Sequence, residues 1–69
     1  MTATRRLLRI RDVAGLTGLG KTTIWRRTKE GKFPAPIKEG KMITAWVEDE
    51  VRAWIDAKIA SRDQASAQP

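Results

Sequence analysis

The 69-residue sequence predicts one mainly α-helical domain with a small β-hairpin, a winged helix-turn-helix of three helices plus a wing. Three observations support this fold class. Two short amphipathic segments meet at a glycine-containing junction over residues 18–20, which is typical of a helix-turn-helix. An extended proline-containing stretch and a β-branched stretch then flank a turn at residues 39–41, which predicts a hairpin. Helical periodicity returns after residue 47 and predicts a third helix.

The N-terminal residues 1–10 are predicted to form a basic N-terminal arm or a lead-in strand, because a short apolar stretch there is bracketed by arginines. The first helix begins near Asp12, an acid suited to a first helical turn. Val13 and Leu16 lie three residues apart on one face of this helix. Gly18 ends it, because glycine readily adopts the positive φ of a C-terminal cap.

A second helix is predicted to begin at residue 20 or 21 and to end at Glu30, with Gly31 as its C-terminal stop. Ile24 and Thr28 lie four residues apart and form its inward stripe. The small side chain of Ala14 on the first helix allows the two helices to cross closely. The outward face of the second helix is basic and polar and contains Lys21, Thr22, Trp25, Arg26 and Lys29.

The wing is predicted as a hairpin. Two prolines placed two residues apart exclude a helix and a central strand, so residues 32–37 form an extended edge. A turn at residues 39–41 and a return strand over residues 42–47 complete the hairpin. Lys38 and Lys41 lie near its tip.

The third helix is predicted to follow the wing directly, because three acids at residues 48–50 suit a helix N-terminus. Residues 11–60 then form the winged helix-turn-helix domain. Residues 61–69 have small polar side chains without apolar periodicity, which predicts a disordered tail. The core is predicted from the large side chains of Phe33, Trp46, Val51, Trp54 and Ile55.

The composition excludes most catalytic chemistry. The chain contains neither cysteine nor histidine, which removes thiolate zinc sites and the usual pairs of nucleophile and base. We therefore expect no enzyme activity, no metal and no cofactor. No apolar stretch approaches the roughly 20 residues of a membrane span. The expected location is the cytoplasm, in association with the nucleoid.

The charge distribution predicts a polyanionic partner. The net charge is +6, and residues 21–32 carry five basic side chains against one acid, a sum of +4. Residues 1–12 carry four arginines against one acid, a sum of +3. Residues 48–60 carry four acids against two basic side chains, a sum of −2. One end of the molecule should therefore face phosphate and the other should face solvent.

Residues 15–22 match the pattern G-x-x-x-x-G-K-[ST] of a P-loop, which would make the chain a nucleotide-binding protein. In such a site Lys21 and Thr22 would contact phosphate and magnesium. A P-loop must follow a buried strand of a parallel sheet, and each crossover in that sheet takes about 30 residues. The chain is too short for this, so we interpret the match as the turn and the start of the second helix.

In the stretch from Leu7 to Ile59 the chain resembles the AlpA family of phage-derived transcriptional regulators, small relatives of excisionases and of MerR-type DNA-binding domains. The order and spacing of several short groups of residues carry the resemblance. These groups are Leu8-Arg9-Ile10, Val13, Thr17-Gly18-Leu19, Thr23-Ile24-Trp25-Arg26, Lys29-Glu30-Gly31, Phe33-Pro34-Ala35-Pro36, Gly40, Trp46, Glu50-Val51 and Ala53-Trp54-Ile55.

The resemblance implies a DNA-binding protein that switches genes of an integrated phage or mobile element, or an excisionase-like protein that bends DNA to assist its excision. Three departures from the family pattern stand out. Gly20-Lys21 replaces the usual serine that can cap the second helix, and Trp25 replaces a more usual tyrosine. Arg27 and Thr28 stand where aliphatic residues are usual.

We expect the second helix to enter the major groove of double-stranded DNA and the wing to contact flanking backbone. Arg26 is the best candidate for reading guanine. A homodimer or adjacent copies on DNA, a recombinase and RNA polymerase are further possible partners, and an adaptor that binds proteins through its acidic third helix is an alternative of another class. The predicted DNA contacts are Lys21, Thr22, Thr23, Trp25, Arg26, Arg27, Lys29, Lys38, Lys41, Arg9 and Arg11.

Overall fold

The computed structural model describes residues 6–67. Residues 1–5 of the predicted N-terminal arm, Arg5 among them, lie outside the described part, as do residues 68 and 69 of the predicted tail. Within the described residues, three helices and a three-stranded antiparallel sheet form a mainly helical fold. This confirms the prediction of a winged helix-turn-helix of three helices plus a wing. The elements are β1 (Leu7–Leu8), α1 (Ile10–Thr17), α2 (Lys21–Lys29), β2 (Ile37–Glu39), β3 (Ile43–Val47) and α3 (Glu48–Ala67).

The sheet has the order β1-β3-β2, with the return strand of the wing at its centre. Leu8 of β1 pairs with Trp46, so the lead-in segment is a strand at residues 7 and 8. On the other side of β3, Lys38 pairs with Thr44. The hairpin turn occupies residues 40–42, one residue later than the sequence predicts. Glu39 is still part of β2 and pairs with Ile43 of β3, and Gly40 begins the turn with a φ of 70°.

The first helix begins two residues earlier than predicted. Arg9 is its N-cap, and Asp12 is the third residue of α1, in the first turn as predicted. The Asp12 carboxylate accepts a hydrogen bond from the backbone N–H of Arg9 over 3.4 Å. Ile10 packs against the hydrophobic core from the first turn of the helix, which favours the earlier start.

The turn between α1 and α2 is held by local hydrogen bonds. Gly18 adopts a φ of 76° and donates its N–H to the carbonyl of Ala14 over 2.8 Å, so it caps α1 as predicted. The Thr17 hydroxyl donates to the carbonyl of Val13 over 2.8 Å and accepts from the N–H of Leu19 over 3.2 Å. The three residues 18–20 therefore reverse the chain in a defined geometry.

The core lies where the two helices, the sheet and the start of α3 meet. Its buried residues confirm the core role predicted for Phe33, Trp46 and Val51, whereas Trp54 and Ile55 are half-buried at its edge. Trp46 is fully buried and donates its indole N–H to the carbonyl of Pro34 over 2.9 Å. The buried cluster consists of Leu8, Val13, Ile24, Phe33, Trp46 and Val51.

The third helix continues to Ala67, although the sequence predicts a disordered tail from Ser61. Residues 61–65 are exposed, so their helical structure rests on intrinsic propensity and not on core packing. Residues 48–68 contain neither glycine nor proline, which allows the helix to continue past residue 60. Among the described residues, no helix combines the length and the apolar character needed to cross a membrane.

Candidate nucleic-acid interface

The second helix presents a basic face to solvent. Ile24 is fully buried and Thr28 is half-buried, so the predicted inward stripe holds α2 against the core. Gly20 is the N-cap, which confirms the predicted start of α2. The helix ends at Lys29, one residue before the predicted end, with Glu30 as its C-cap and Gly31 following at a φ of 75°. The residues predicted on the outward face are all exposed, namely Lys21, Thr22, Trp25, Arg26 and Lys29.

The pairing of charges separates the basic residues into two groups. Of 14 basic residues in the chain, Arg5 lies outside the described part, which leaves 13. Four of these have a carboxylate within 4.0 Å among the described residues, namely Arg6, Lys32, Arg52 and Arg62. The nine others have none there, and they are the eight basic residues predicted to contact DNA together with Lys58.

Lys58 differs from the other eight in its surroundings. It lies on α3, with its ammonium 5.3 Å from the centre of the Trp54 ring. The eight predicted residues are distributed over α2, the wing and the N-terminal end of α1. These eight are Arg9, Arg11, Lys21, Arg26, Arg27, Lys29, Lys38 and Lys41.

A groove lies between α2 and the wing. Trp25 forms part of its wall and remains 42% exposed. The Trp25 ring packs on Trp46, with 5.2 Å between ring centroids and 57° between ring planes. Trp25 therefore contacts the return strand of the wing through Trp46 while part of its surface remains exposed. The groove is lined by Trp25, Thr28, Lys29, Pro36 and Lys38.

Two of the predicted residues lie in other grooves. Arg27 is half-buried and lines a groove beside Trp54 and Ile55 of α3, away from the groove that Lys29 and Lys38 share. Its partial burial fits an apolar stem packed on the protein with a charged end in solvent.

Arg11 lines a third groove, between α1 and the start of α3, together with Arg6, Glu48 and Arg52. Arg9 is exposed at the N-cap of α1, and Lys41 is exposed in the wing turn. The fold thus brings Lys29 and Lys38 together with Trp25, and it does not bring Arg11 into that group.

Pro36 and Thr28 are members of the groove that the sequence did not assign to the site. Thr28 was predicted as part of the inward stripe, and its hydroxyl oxygen is buried without a hydrogen-bond partner in the described structure. Pro36 was interpreted as a residue that excludes a helix and a central strand and as part of the family resemblance. Its place in the groove with Trp25 depends on how the hairpin packs on α2, which no local pattern reports.

The P-loop pattern lies on two helices. Gly15 is inside α1 and Lys21 is the first residue of α2, so the residues between them form a helix end and a turn. The strands among the described residues pair antiparallel. The described residues also contain no cluster of acids that could hold a metal ion. The matched residues therefore form the end of α1, a turn and the start of α2, and not a loop that follows a strand.

The length of α2 suits a groove of duplex DNA. Nine helical residues extend over about 13 Å at 1.5 Å per residue. The major groove is about 12 Å wide and admits an α-helix. The exposed basic face of α2 can therefore lie along base edges while side chains at both ends reach phosphates.

Comparison with known proteins gives a family match. The family model of the prophage CP4-57 regulatory protein (AlpA) matches residues 6–59. The chain is also similar to the uncharacterized protein ORF88 of enterobacteria phage P4, with 39% identity over 57 residues. That alignment covers 83% of this chain and 65% of the phage protein, so the chain spans slightly less than two thirds of this relative. No solved structure gives a significant match.

Proposed function

This chain belongs to the AlpA family of prophage regulatory proteins, and we propose that it binds double-stranded DNA and regulates transcription of a phage or mobile element. In this proposal α2 enters the major groove and the wing contacts the flanking backbone. The observation that carries it is the charge pairing. The eight basic residues that the sequence assigns to DNA lack a carboxylate within 4.0 Å among the described residues, whereas four others have one.

The start of α2 supplies backbone donors as well as side chains. Gly20 is the N-cap and has no side chain to accept a hydrogen bond, so the first N–H groups of the helix keep no such partner. In the proposed complex these groups, with Lys21 and Thr22, bind a phosphate at the entry to the major groove. Thr23 is half-buried, and its hydroxyl is assigned to the same phosphate.

The middle of α2 carries the proposed base contact. Arg26 is exposed on the same face of α2 as Thr22 and Lys29, and its guanidinium can donate two hydrogen bonds to one guanine. Arg9, Arg11, Arg27 and Lys41 are assigned to phosphates around this centre, because each is a cation outside the groove that Trp25 lines.

One such domain covers a short site, so we propose that operators hold adjacent copies or a dimer. Recombinase and RNA polymerase are the partners that such a regulator would meet on DNA. The proposal does not require enzyme activity, because every assigned contact is an ion pair or a hydrogen bond.

Binding is tested with a double variant and a matched control. Lys21→Ala with Arg26→Ala removes two cations from α2, and Lys58→Ala with Arg62→Ala removes two from α3. We expect the first variant to lose at least tenfold in affinity for a duplex selected from phage and host fragments. The control should stay within about threefold of wild type, since α3 makes no proposed contact.

Circular dichroism establishes that both variants remain folded. For the wild type, four to six neutralised phosphates predict a slope of log K against log salt of roughly −4 to −5. Unchanged affinity in the folded α2 variant would show that α2 is not the DNA-contacting helix. On fragments with permuted sites, a regulator that leaves DNA straight migrates independently of site position. A strong dependence on position would favour the excisionase-like function instead.

A further inference from the structure

The groove between α2 and the wing has the chemistry of a nucleic-acid backbone site, an inference that rests on the proposed function. We propose that this groove holds one DNA strand by its backbone. Lys29 and Lys38 bind phosphates on either side, and Trp25 and Pro36 pack against the deoxyribose between them. The groove thereby contributes affinity that does not depend on base sequence.

The charges of the groove match such a strand. Lys29 on α2 and Lys38 on β2 both line it, and neither has a carboxylate within 4.0 Å in the described structure. Trp25 and Pro36 provide the apolar part of the same lining. A DNA strand alternates anionic phosphate with a largely apolar sugar, which is the same combination of chemistry.

Trp25 is held in place before any ligand binds. Its ring packs on Trp46 at 5.2 Å, and Trp46 is itself fully buried and bonded through its indole N–H to Pro34. The same hydrogen bond anchors the segment that leads into Pro36. Trp25 is 42% exposed and can therefore still contact a ligand. Because its ring is already oriented, it loses little conformational freedom on binding.

The groove offers little for reading a base. Reading a base in the major groove requires donors and acceptors aimed at its edge. Besides the two lysines, the polar side-chain groups of the lining residues are the Trp25 indole N–H, which can donate but not accept, and the Thr28 hydroxyl, whose oxygen is buried. Lysine ammonium groups act as point charges and suit phosphate. These features favour a backbone contact over hydrogen bonding to a base edge.

Affinities of Trp25→Ala for the selected duplex and for an unrelated duplex of equal length test the inference. We expect a loss of about tenfold on both duplexes, with an unchanged salt slope, since no charge is removed. Lys29→Gln and Lys38→Gln should each reduce the magnitude of the slope by about 1. Trp25→Phe, which keeps a ring against Trp46, should lose about threefold and serves if Trp25→Ala does not fold.

A DNA-side experiment locates the contact. Methylphosphonates placed one at a time along each strand neutralise single phosphates. At one position the neutral phosphate should remove the effect of Lys38→Gln, and at a nearby position on the same strand it should remove that of Lys29→Gln. A position where uracil in place of thymine weakens wild type but not Trp25→Phe would identify a base contact and overturn the inference.

Two further outcomes separate this inference from the proposed function. Wild type that binds no duplex DNA refutes both. Wild type that binds DNA while folded Trp25→Phe and Lys38→Gln bind equally well refutes the backbone site alone. A loss confined to the selected duplex also refutes it, because the proposed contact is independent of sequence.

Discussion

Replacing Trp46 with phenylalanine should cost more stability than the same replacement at Trp54. Both indoles donate a hydrogen bond to a carbonyl of the segment before the wing, Trp46 to Pro34 over 2.9 Å and Trp54 to Lys32 over 3.0 Å. They differ in burial, because Trp46 is fully buried and Trp54 is half-buried. The pair therefore separates the contribution of burial from that of the hydrogen bond.

The expected magnitude follows from what each substitution removes. Trp46→Phe removes a hydrogen bond worth about 0.5–1.5 kcal/mol. It also removes two buried ring carbons at about 0.8 kcal/mol each. The free energy of unfolding should fall by about 2–3 kcal/mol, which for a domain of this size lowers Tm by about 10–20 °C. Trp54→Phe should cost about 1 kcal/mol, since water can replace its bond.

Urea unfolding followed by circular dichroism at 222 nm measures both values, with equal m-values as the check that one transition is compared. A Trp54→Phe variant as destabilised as Trp46→Phe would refute the reasoning. It would mean that the hydrogen bonds to residues 32–34 decide stability and that the burial of Trp46 does not.

Two further substitutions test the turn and the start of α3. Gly18→Ala should destabilise the protein by about 1–2 kcal/mol, because φ at this position is 76°. The control Gly15→Ala lies inside α1, where an added Cβ meets open space, and it should raise the free energy of unfolding by about 0.5–1 kcal/mol in the same urea assay. Equal effects of the two substitutions would contradict the role of Gly18 as the C-cap of α1. Glu48→Gln removes ion pairs to Arg6 at 3.4 Å and Arg52 at 2.9 Å. Both arginines are largely exposed, so the cost should be about 0.5–1 kcal/mol and should shrink in high salt; a salt-independent loss would argue against an electrostatic origin.

The elements bounded by glycine were predictable from sequence, and those without such a boundary were not. Gly18 and Gly31 end α1 and α2 because each adopts a φ near 75° that other residues avoid. The start of α1 was misplaced because Ile10 extends an apolar stretch that begins in β1. The end of α3 was missed because an exposed helix leaves no apolar period to follow.

The basic face of α2 was predictable because it follows from helical spacing alone. The grouping of its residues was not. Arg27 and Lys29 are two positions apart, so helical spacing alone puts them on different sides of α2. That one side meets the wing and the other meets α3 depends on tertiary packing. Among the described residues, three of the four paired cations have an acid within four residues in the sequence, and the pair of Arg6 with Glu48 is the one that tertiary packing creates.

The pairing of β1 with β3 constrains the order in which the chain can fold. Leu8 and Trp46 are 38 positions apart, and closing such a loop costs about 3 kcal/mol beyond a constant. The helix pair and the hairpin form from near neighbours and precede it. During translation β1 must therefore wait, unpaired, until the whole wing has left the ribosome.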